Sequence, residues 1–446
     1  MPSFFPESHP VRSVVSGLIA RGHRTLLAGG AVRDRLLGRA ASDFDVATSA
    51  TPREVAAAFP RVVPVGEKFG VVLVVVEGRH VEVATFRHDA HYDDGRHPVG
   101  VSFTTDPRED AARRDFTVNA LFYDPETDEV LDYVDGREDL DAGVIRAVGD
   151  PLERFAEDRL RMLRAVRFAA QLDFEIDPAT WTAVRALAVD IVDVAGERIR
   201  DELLKILTGE NPVRGLRMLC ASGLLEEILP EVSAGVGVPQ PARFHPEGDV
   251  FTHTLAAVAR LSERTPRLAL AALLHDIGKP VTQSVADRVR FDRHAPKGAE
   301  MAEVVCRRLR LSREESDAVR DLVHNHLRFM SVREMREARL RRFLAGTRGE
   351  EHLALHRADC RGSHGDLSNW RFCREKLGEW GREPPAPERL LRGADLKALG
   401  LLPGPDFAPI LREAEDLTLE QKLRTREEAL EWLRARVERK EEPDGA

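Results

Sequence analysis

The chain has 446 residues, with 66 Lys and Arg against 75 Asp and Glu, a net charge of −9. At ~150 residues per domain, that length allows about three domains. Hydrophobic residues at 43% and charged residues at 32% describe a folded chain with real cores, and the acid excess excludes a protein whose whole surface is a basic glove for nucleic acid.

Any polyanion must therefore be held by a local patch or through metal ions. Only 8 of the 66 basic residues are Lys, and Arg grips phosphate or a base edge with a bidentate fork. The longest apolar run near the N-terminus, Val71 to Val76, is far below the ~18 residues of a membrane helix. The start, MPSFFPESHP, lacks a basic stretch followed by an apolar one, so no secretory signal is expected. Cys220, Cys306, Cys360 and Cys373 form no CxxC, which fits a reducing cytoplasm.

Taken in chain order, the first ~140 residues read as α/β by apolar period and turn signals. A short strand, Thr25 to Ala28, ends at Gly29-Gly30, and a helix follows from Ala31 to Leu37. Asp43-Phe44-Asp45-Val46 reads as extended, and Thr51-Pro52-Arg53-Glu54 has the form of a capping box with Pro at the first helical position. Phe69 to Glu77 and Arg79 to Phe86 predict a hairpin about Gly78, with Glu82 facing away from Val81 and Val83. After about Asp150 the pattern turns helical: Leu160, Leu163, Val166 and Ala170 share one helix face, and Glu197 to Leu207 forms another helix. Pro and Gly mark a boundary between Leu229 and Asp249. Nine of the 15 histidines fall between His245 and His364 in helical sequence. Glu383 to Pro387 reads as a second linker, and the Arg-rich tail beyond it as helical.

Two Asp at i and i+2 of an extended segment, Asp43 and Asp45, point the same way and offer oxygen ligands of the kind Mg²⁺ prefers. Glu82 on a neighbouring strand completes a two-metal set able to stabilise both oxygens of an in-line phosphoryl displacement. Gly29 and Gly30 let backbone approach a phosphate, and the following helix N-terminus favours negative charge. A dinucleotide fingerprint and a P-loop are both missing, since Gly278-Lys279 runs into Pro280. Further pieces follow in order: Arg113-Arg114-Asp115-Phe116-Thr117-Val118-Asn119, Asp132 to Leu140, Glu157-Asp158-Arg159-Leu160-Arg161, and Glu197-Arg198 with Glu202.

On these motifs residues 25–210 resemble the class II tRNA nucleotidyltransferases, the CCA-adding enzymes, and their bacterial poly(A) polymerase relatives. The resemblance implies that Gly29, Gly30 and Arg33 hold a triphosphate, and that Asp43, Asp45 and Glu82 bind Mg²⁺ and carry catalysis. It implies that Arg114, Asn119, Arg164 and Arg167 contact the nucleotide, that Asp115 contacts the ribose hydroxyl, and that Asp158 and Arg161 read the base. The chemistry of that pair agrees: a carboxylate only accepts and a guanidinium only donates, which complements the amino donor and ring-nitrogen acceptor of cytosine and adenine and opposes uracil and guanine. A surface Asp–Arg pair three residues apart on a helix is the plain structural alternative.

His253, His275-Asp276, His294, His324 or His326, and Asp359 resemble the HD superfamily of metal phosphohydrolases, implying Mn²⁺, Ni²⁺, Co²⁺ or Mg²⁺ there, with His324 taken as the ligand of its pair.

The expected architecture is α+β. A polymerase-β-like nucleotidyltransferase head with a small mixed or antiparallel sheet occupies 1–143, an all-α neck 144–230, an HD-like helical body 245–365 and a helical tail 385–446. The expected partners are tRNA or other RNA 3′ ends, CTP and ATP, with no membrane and no obligate protein partner. An A-only enzyme or poly(A) polymerase shares these motifs. Val65 to Gly70 and the stretch Arg87 to Pro98, similar to a loop that switches C for A addition, favour the CCA-adding form. An HD-type phosphohydrolase with an RNA-binding head is the alternative from another class.

Overall fold

The computed structural model describes residues 9–41, 44–89, 101–285, 287–381 and 389–441. Asp43, most of the Arg87–Pro98 stretch and the Glu383–Pro387 linker lie outside them. Two compact units divide the chain: Met1–Ser233 with Arg308–Arg310, and Ala234–Arg307 with Leu311–Ala446. The expected head and neck lie in the first, and the expected HD body and tail in the second.

In the first unit, α1 (Val11–Ile19) buries Val11, Val14, Val15 and Leu18, one helical stripe. It is followed by β1 (Thr25–Ala28), α2 (Gly30–Leu36), β2 (Asp45–Thr48), α3 (Pro52–Ala58), β3 (Val62–Gly66), β4 (Val71–Val76) and β5 (Arg79–Thr85). The Thr51–Glu54 capping box forms as read. A small antiparallel pair comes next, β6 (Arg87–Asp89) and β7 (Val101–Phe103), then α4 (Pro107–Ala112), β8 (Phe122–Asp124), β9 (Glu129–Leu131) and α5 (Gly136–Ala142). One seven-stranded sheet has the order β3-β4-β5-β2-β1-β8-β9, antiparallel throughout except for the parallel pair β2 and β5.

That parallel pair positions the carboxylates. Val46 lies opposite Val83 and Ala47 opposite Ala84, so one step earlier Asp45 and Glu82 project from the same face of adjacent strands. The interior strand β1 is buried at all four positions and leads straight into Gly29. Gly29 adopts φ 69° and ψ −129°, a conformation reserved for glycine, and a Cβ there would sit 3.1 Å from Arg114 Nη1. The edge strand β3 carries Pro64 and a register shift beside it, which blunts an open edge.

The parallel strand pair β10 (Val144–Ile145) and β11 (Glu175–Ile176) brackets α6 (Pro151–Glu157) and α7 (Leu160–Leu172). Beyond it α8 (Pro178–Ala186), α9 (Gly196–Thr208), α10 (Pro212–Ser222), α11 (Leu224–Ile228) and α12 (Pro230–Ser233) complete the unit, with α7 packed on α9 and α10. Here the structure corrects the sequence reading. Asp158 and Arg161 do not share a helix, because Asp158 is extended (φ −145°, ψ 101°) between α6 and α7. Its Oδ1 accepts the Leu160 N–H at 3.1 Å, the use of Asp that competes with helix interior.

In the second unit, α13 (Val250–Ala259) packs on α14 (Pro266–Leu274) and later helices. The short α15 (Lys279–Thr282) leads into the hairpin β12 (Gln283–Val285) and β13 (Val289–Phe291), which interrupts the expected helical run. Then come α16 (His294–Arg308), α17 (Arg313–Asn325), α18 (Glu337–Leu344), α19 (Gly349–Gly362), α20 (Ser368–Trp380), α21 (Gly393–Ala398), α22 (Phe407–Leu419) and α23 (Arg426–Glu441). Helix α14 is buried from Leu268 to Leu274 and delivers His275 and Asp276 into the interior. The turn after them lies directly against α16: a Cβ on Gly278 would fall 2.2 Å from the His294 carbonyl oxygen. Gly278→Ala is therefore expected to force two backbones apart, at a cost of about 1–3 kcal/mol. A lowered denaturant midpoint checks this, and an unchanged midpoint contradicts it.

Candidate functional site

In the first unit the side chains named from the motifs converge around Phe168 of α7. The guanidinium carbons of Arg33, Arg164 and Arg167 lie 5.2, 5.2 and 4.0 Å from its ring centroid. Three cations on one ring need counter-charge, and three carboxylates supply it: Asp34 to Arg33, at 2.7 Å, Asp115 to Arg164 and Glu202 to Arg167. Asp115 accepts from Arg164 Nε at 2.8 Å and Nη2 at 2.5 Å, while Arg167 Nε lies 2.6 Å from Glu202 Oε2 on α9. A hydrogen-bond chain ties these groups together: Arg33 Nη1 donates to Asn119 Oδ1 at 2.6 Å, and Asn119 Nδ2 donates to Asp115 Oδ1 at 3.1 Å. Burial pushes the Asp115 pKa up, but Arg164 and Asn119 outweigh it and hold the group down at about 2. Its contribution to stability is thus present above the ordinary carboxylate range and is lost as pH falls toward 2. Arg167 shifts the other way: burial, only partly offset by Glu202, lowers it to about 10.

The neighbouring arginines are held in the same manner. Asp110, 1% exposed, accepts from Arg113 through Oδ1 and from Arg114 through Oδ2, at 2.6–3.2 Å. Arg114 also donates to the Asn119 carbonyl at 3.1 Å and lies 4.8 Å from the Phe122 ring centroid.

The structure does not pair Asp158 with Arg161. Arg198 of α9 takes both oxygens of Asp158, at 3.1 and 2.8 Å. Arg161 Nη1 donates to Glu157 Oε2 at 2.6 Å and to the Arg154 carbonyl at 2.9 Å, and Nη2 to the Arg113 carbonyl at 3.2 Å. A guanidinium has five N–H groups, so two remain for a ligand; Asp158 Oδ1 is filled by the Leu160 and Arg198 N–H groups, and Oδ2, with one donor from Arg198, keeps a lone pair. Asp110, Arg198 and Glu202 were given no role from the sequence. Asp110 had a usable signal in its i,i+3 and i,i+4 spacing to Arg113 and Arg114.

Asp45 and Glu82, on their shared sheet face, both keep exposed side chains. Surrounding protein nonetheless raises the Glu82 pKa by desolvation. The third expected ligand, Asp43, is outside the described residues.

In the second unit, His253, His275, Asp276, His294, His326 and Asp359 form one buried cluster. His253 Nε2 lies 3.1 Å from His275 Nε2, 3.2 Å from Asp359 Oδ1 and 3.4 Å from Asp276 Oδ2. His294 Nε2 lies 3.3 Å from His326 Nε2, and Asp276 Oδ1 lies 3.4 and 3.7 Å from them. His324 is not part of it: it sits on the exposed side of α17, and the turn after Asn325 carries His326 inward instead. Each ring is anchored through Nδ1, for His275 on the Ala272 carbonyl, for His294 on Phe291 and for His326 on Val323, all at 2.7–2.8 Å. A carbonyl only accepts, so Nδ1 carries the hydrogen and Nε2 presents a lone pair. Lone pairs facing one another at 3.1 and 3.3 Å repel unless a proton or a cation lies between them. The donor set fits one or two divalent ions of the imidazole-preferring kind.

Comparison with known proteins agrees with this layout. Residues 25–146 match the family described as the poly A polymerase head domain, residues 173–235 the "Probable RNA and SrmB- binding site of polymerase A", and residues 250–396 the HD domain. A CCA-adding enzyme of Limosilactobacillus reuteri is 45% identical over 226 residues, 51% of this chain and 55% of that protein. One of Enterococcus faecalis is 45% identical over 216 residues, 48% and 52% of the two chains. The chain thus spans about half the length of the curated relatives it matches. The crystal structure of the Bacillus stearothermophilus CCA-adding enzyme in complex with CTP is 27% identical, covers 99% of both chains and superimposes with a TM-score of 0.71. The Thermotoga maritima CCA-adding enzyme complexed with tRNA, 21% identical, covers 97% of both with a TM-score of 0.60 and shares the fold. By these matches residues 25–146 carry a poly A polymerase head domain and residues 250–396 an HD domain. The four relatives just described are all CCA-adding enzymes.

Asp110→Ala would leave the Arg113 and Arg114 guanidinium groups side by side without counter-charge. Breaking a buried ion pair in this way is expected to cost about 3–5 kcal/mol in chemical unfolding. A loss below about 1 kcal/mol would place the pair among surface bridges instead.

Proposed function

We propose that this chain is a CCA-adding tRNA nucleotidyltransferase. The 3′-hydroxyl of a tRNA attacks the α-phosphate of CTP or ATP, a P–O bond forms, and pyrophosphate leaves with the broken one. The observation that carries the reading is the cluster of Arg33, Arg164 and Arg167 about Phe168, beside Asp115, Asp158 and Arg161. The identity with CCA-adding relatives favours C and A addition over A alone.

In this reading the Gly29-Gly30 turn and Arg33 hold the triphosphate, with Arg114, Asn119, Arg164 and Arg167 around the nucleotide. Asp115 would accept the ribose hydroxyl in place of one of the four N–H donors it now takes, from Phe116, Asn119 and Arg164. Asp158, fixed by Arg198, accepts from the base amino group, and Arg161 donates to the adjacent ring nitrogen. Asp43, Asp45 and Glu82 would hold two divalent ions, read as Mg²⁺, which supply electrostatic stabilisation of the attacking and leaving oxygens. The helical residues after 143 and the tail from 385 would carry the RNA. We place the protein in the cytoplasm; among the described residues no helix is long and apolar enough to cross a membrane.

The test is one assay with tRNA ending before CCA, at C and at CC, supplied with CTP, ATP or both, and the tails sequenced. CCA completed on the shortest substrate is expected, and addition of A alone would replace this reading with the poly(A) one. Asp45→Ala should abolish transfer, and retained activity would remove the metal assignment. Asp158→Ala should admit UTP or GTP while transfer remains detectable. Unchanged fidelity would end the base-reading role.

For the second unit we infer a metal phosphohydrolase site built on His253, His275, Asp276, His294, His326 and Asp359, taking Mn²⁺, Ni²⁺, Co²⁺ or Mg²⁺. Hydrolysis of 2′,3′-cyclic nucleotides in the presence of these ions is the expected activity: water adds at phosphorus and one ring P–O bond opens to leave a phosphomonoester. His326→Ala should remove it and His324→Ala should not; the opposite result would restore His324 as the ligand.

A further inference from the structure

Three of the four clustered imidazoles are anchored on neutral backbone carbonyls, and His253 is the exception. Its Nδ1 lies 2.7 Å from Glu247 Oε1, a carboxylate oxygen that His245 Nδ1 also meets at 2.9 Å. The His245 ring stands edge-on to His253, with centroids 4.7 Å apart at 78°. The loop bearing Glu247 is itself fixed, because Asp249 caps α13 through Thr252 N at 2.7 Å and accepts the Gly237 N–H at 2.6 Å.

We propose that Glu247 is a positioning residue for His253 and makes the ion position built on His253, His275, Asp276 and Asp359 the tighter of two. This rests on the reading of the cluster as a metal centre. Charge decides the ranking. The two inner groups of converging ligands are His253, His275 and Asp359 on one side and Asp276, His294 and His326 on the other, with Asp276 turning one oxygen to each, while a third group, His245, Glu247 and His253, meets the first through the outer nitrogen of His253. The first position therefore has a carboxylate of its own, Asp359, that the second lacks. Lys279 works against it, since its Nζ lies 2.6 Å from Asp276 Oδ2, the oxygen on the first side. Glu247, one imidazole away, restores the negative charge that Lys279 offsets. It also fixes the ring with Nε2 toward the ion and raises that nitrogen's basicity, as outer carboxylates on metal-bound histidines do. Backbone carbonyls orient the other three rings without adding charge.

The test uses the full chain carrying Asp45→Ala, titrated calorimetrically with Co²⁺, an ion that prefers imidazole to the all-oxygen set of the head. Two unequal classes of Co²⁺ site are expected. Glu247→Gln should weaken the tighter class about 10–100-fold. The weaker class should stay within about twofold, because Glu247 bonds His253 and His245 and none of that position's ligands. Glu247→Ala should show the same selective loss. A tighter class unchanged in both variants overturns the proposal. So does an equal fall of both classes, which would make Glu247 a support of the whole cluster. A chain with Glu247 intact that takes up no Co²⁺ overturns the metal reading itself, a result separate from either.

Discussion

The first unit depends on a single electrostatic constraint: guanidinium groups crowded around Phe168 must be neutralised from within. Arg33, Arg164 and Arg167 repel one another, and Arg33 and Arg167 are too deeply buried for water to screen them well. Asp115 and Glu202, 10% and 4% exposed at their side chains, supply the counter-charge for Arg164 and Arg167, and Asp34 supplies it for Arg33. The same device recurs at Asp110 with Arg113 and Arg114, at Glu157 with Arg161 and at Asp158 with Arg198. Arginines held this way are pre-oriented, so little side-chain freedom remains to be lost when a polyphosphate arrives. This also explains how an acidic chain can be built to meet an anion. Part of the acid excess is internal counter-charge for arginines.

The second unit solves a different problem with the same logic. Four imidazoles have been turned to face each other by hydrogen bonds at their outer nitrogens. Without an ion, the burden falls on protons: the carboxylates Asp359, Glu247 and Asp276 raise His253 to about 9 against the opposing effect of burial. Burial and neighbouring His275 lower His326 to about 3. A shared site that forces one imidazole up and another down is poised to exchange its proton for a cation.

Much of this was legible in the sequence where the signal is local. The strand Thr25–Ala28, the Thr51–Glu54 capping box and the Glu77–Gly78 hairpin all appear as read, because turn chemistry and alternation act over a few residues. Strands β8 and β9 span three residues each and left no periodic pattern to find. The break at Asp158 was missed because helical sequence lies on both sides of it, while the side chain itself takes the Leu160 N–H. His324 and His326 are chemically equal in sequence; only the end of α17 decides which one turns inward. Arg198 and Glu247 act across tertiary distance, 40 residues from Asp158 in one case and through an irregular loop in the other. Neither spacing nor period marks such partners.

The central claim is that a fixed acceptor and a fixed donor, Asp158 and Arg161, choose the nucleotide. Equilibrium binding of the four ribonucleoside triphosphates, with Ca²⁺ in place of Mg²⁺ to hold chemistry back, tests it most directly. The account predicts comparable affinity for CTP and ATP, and binding of UTP and GTP weaker by about tenfold or more, the effect of leaving one charged hydrogen-bond partner unmatched. UTP or GTP bound as tightly as CTP would contradict it.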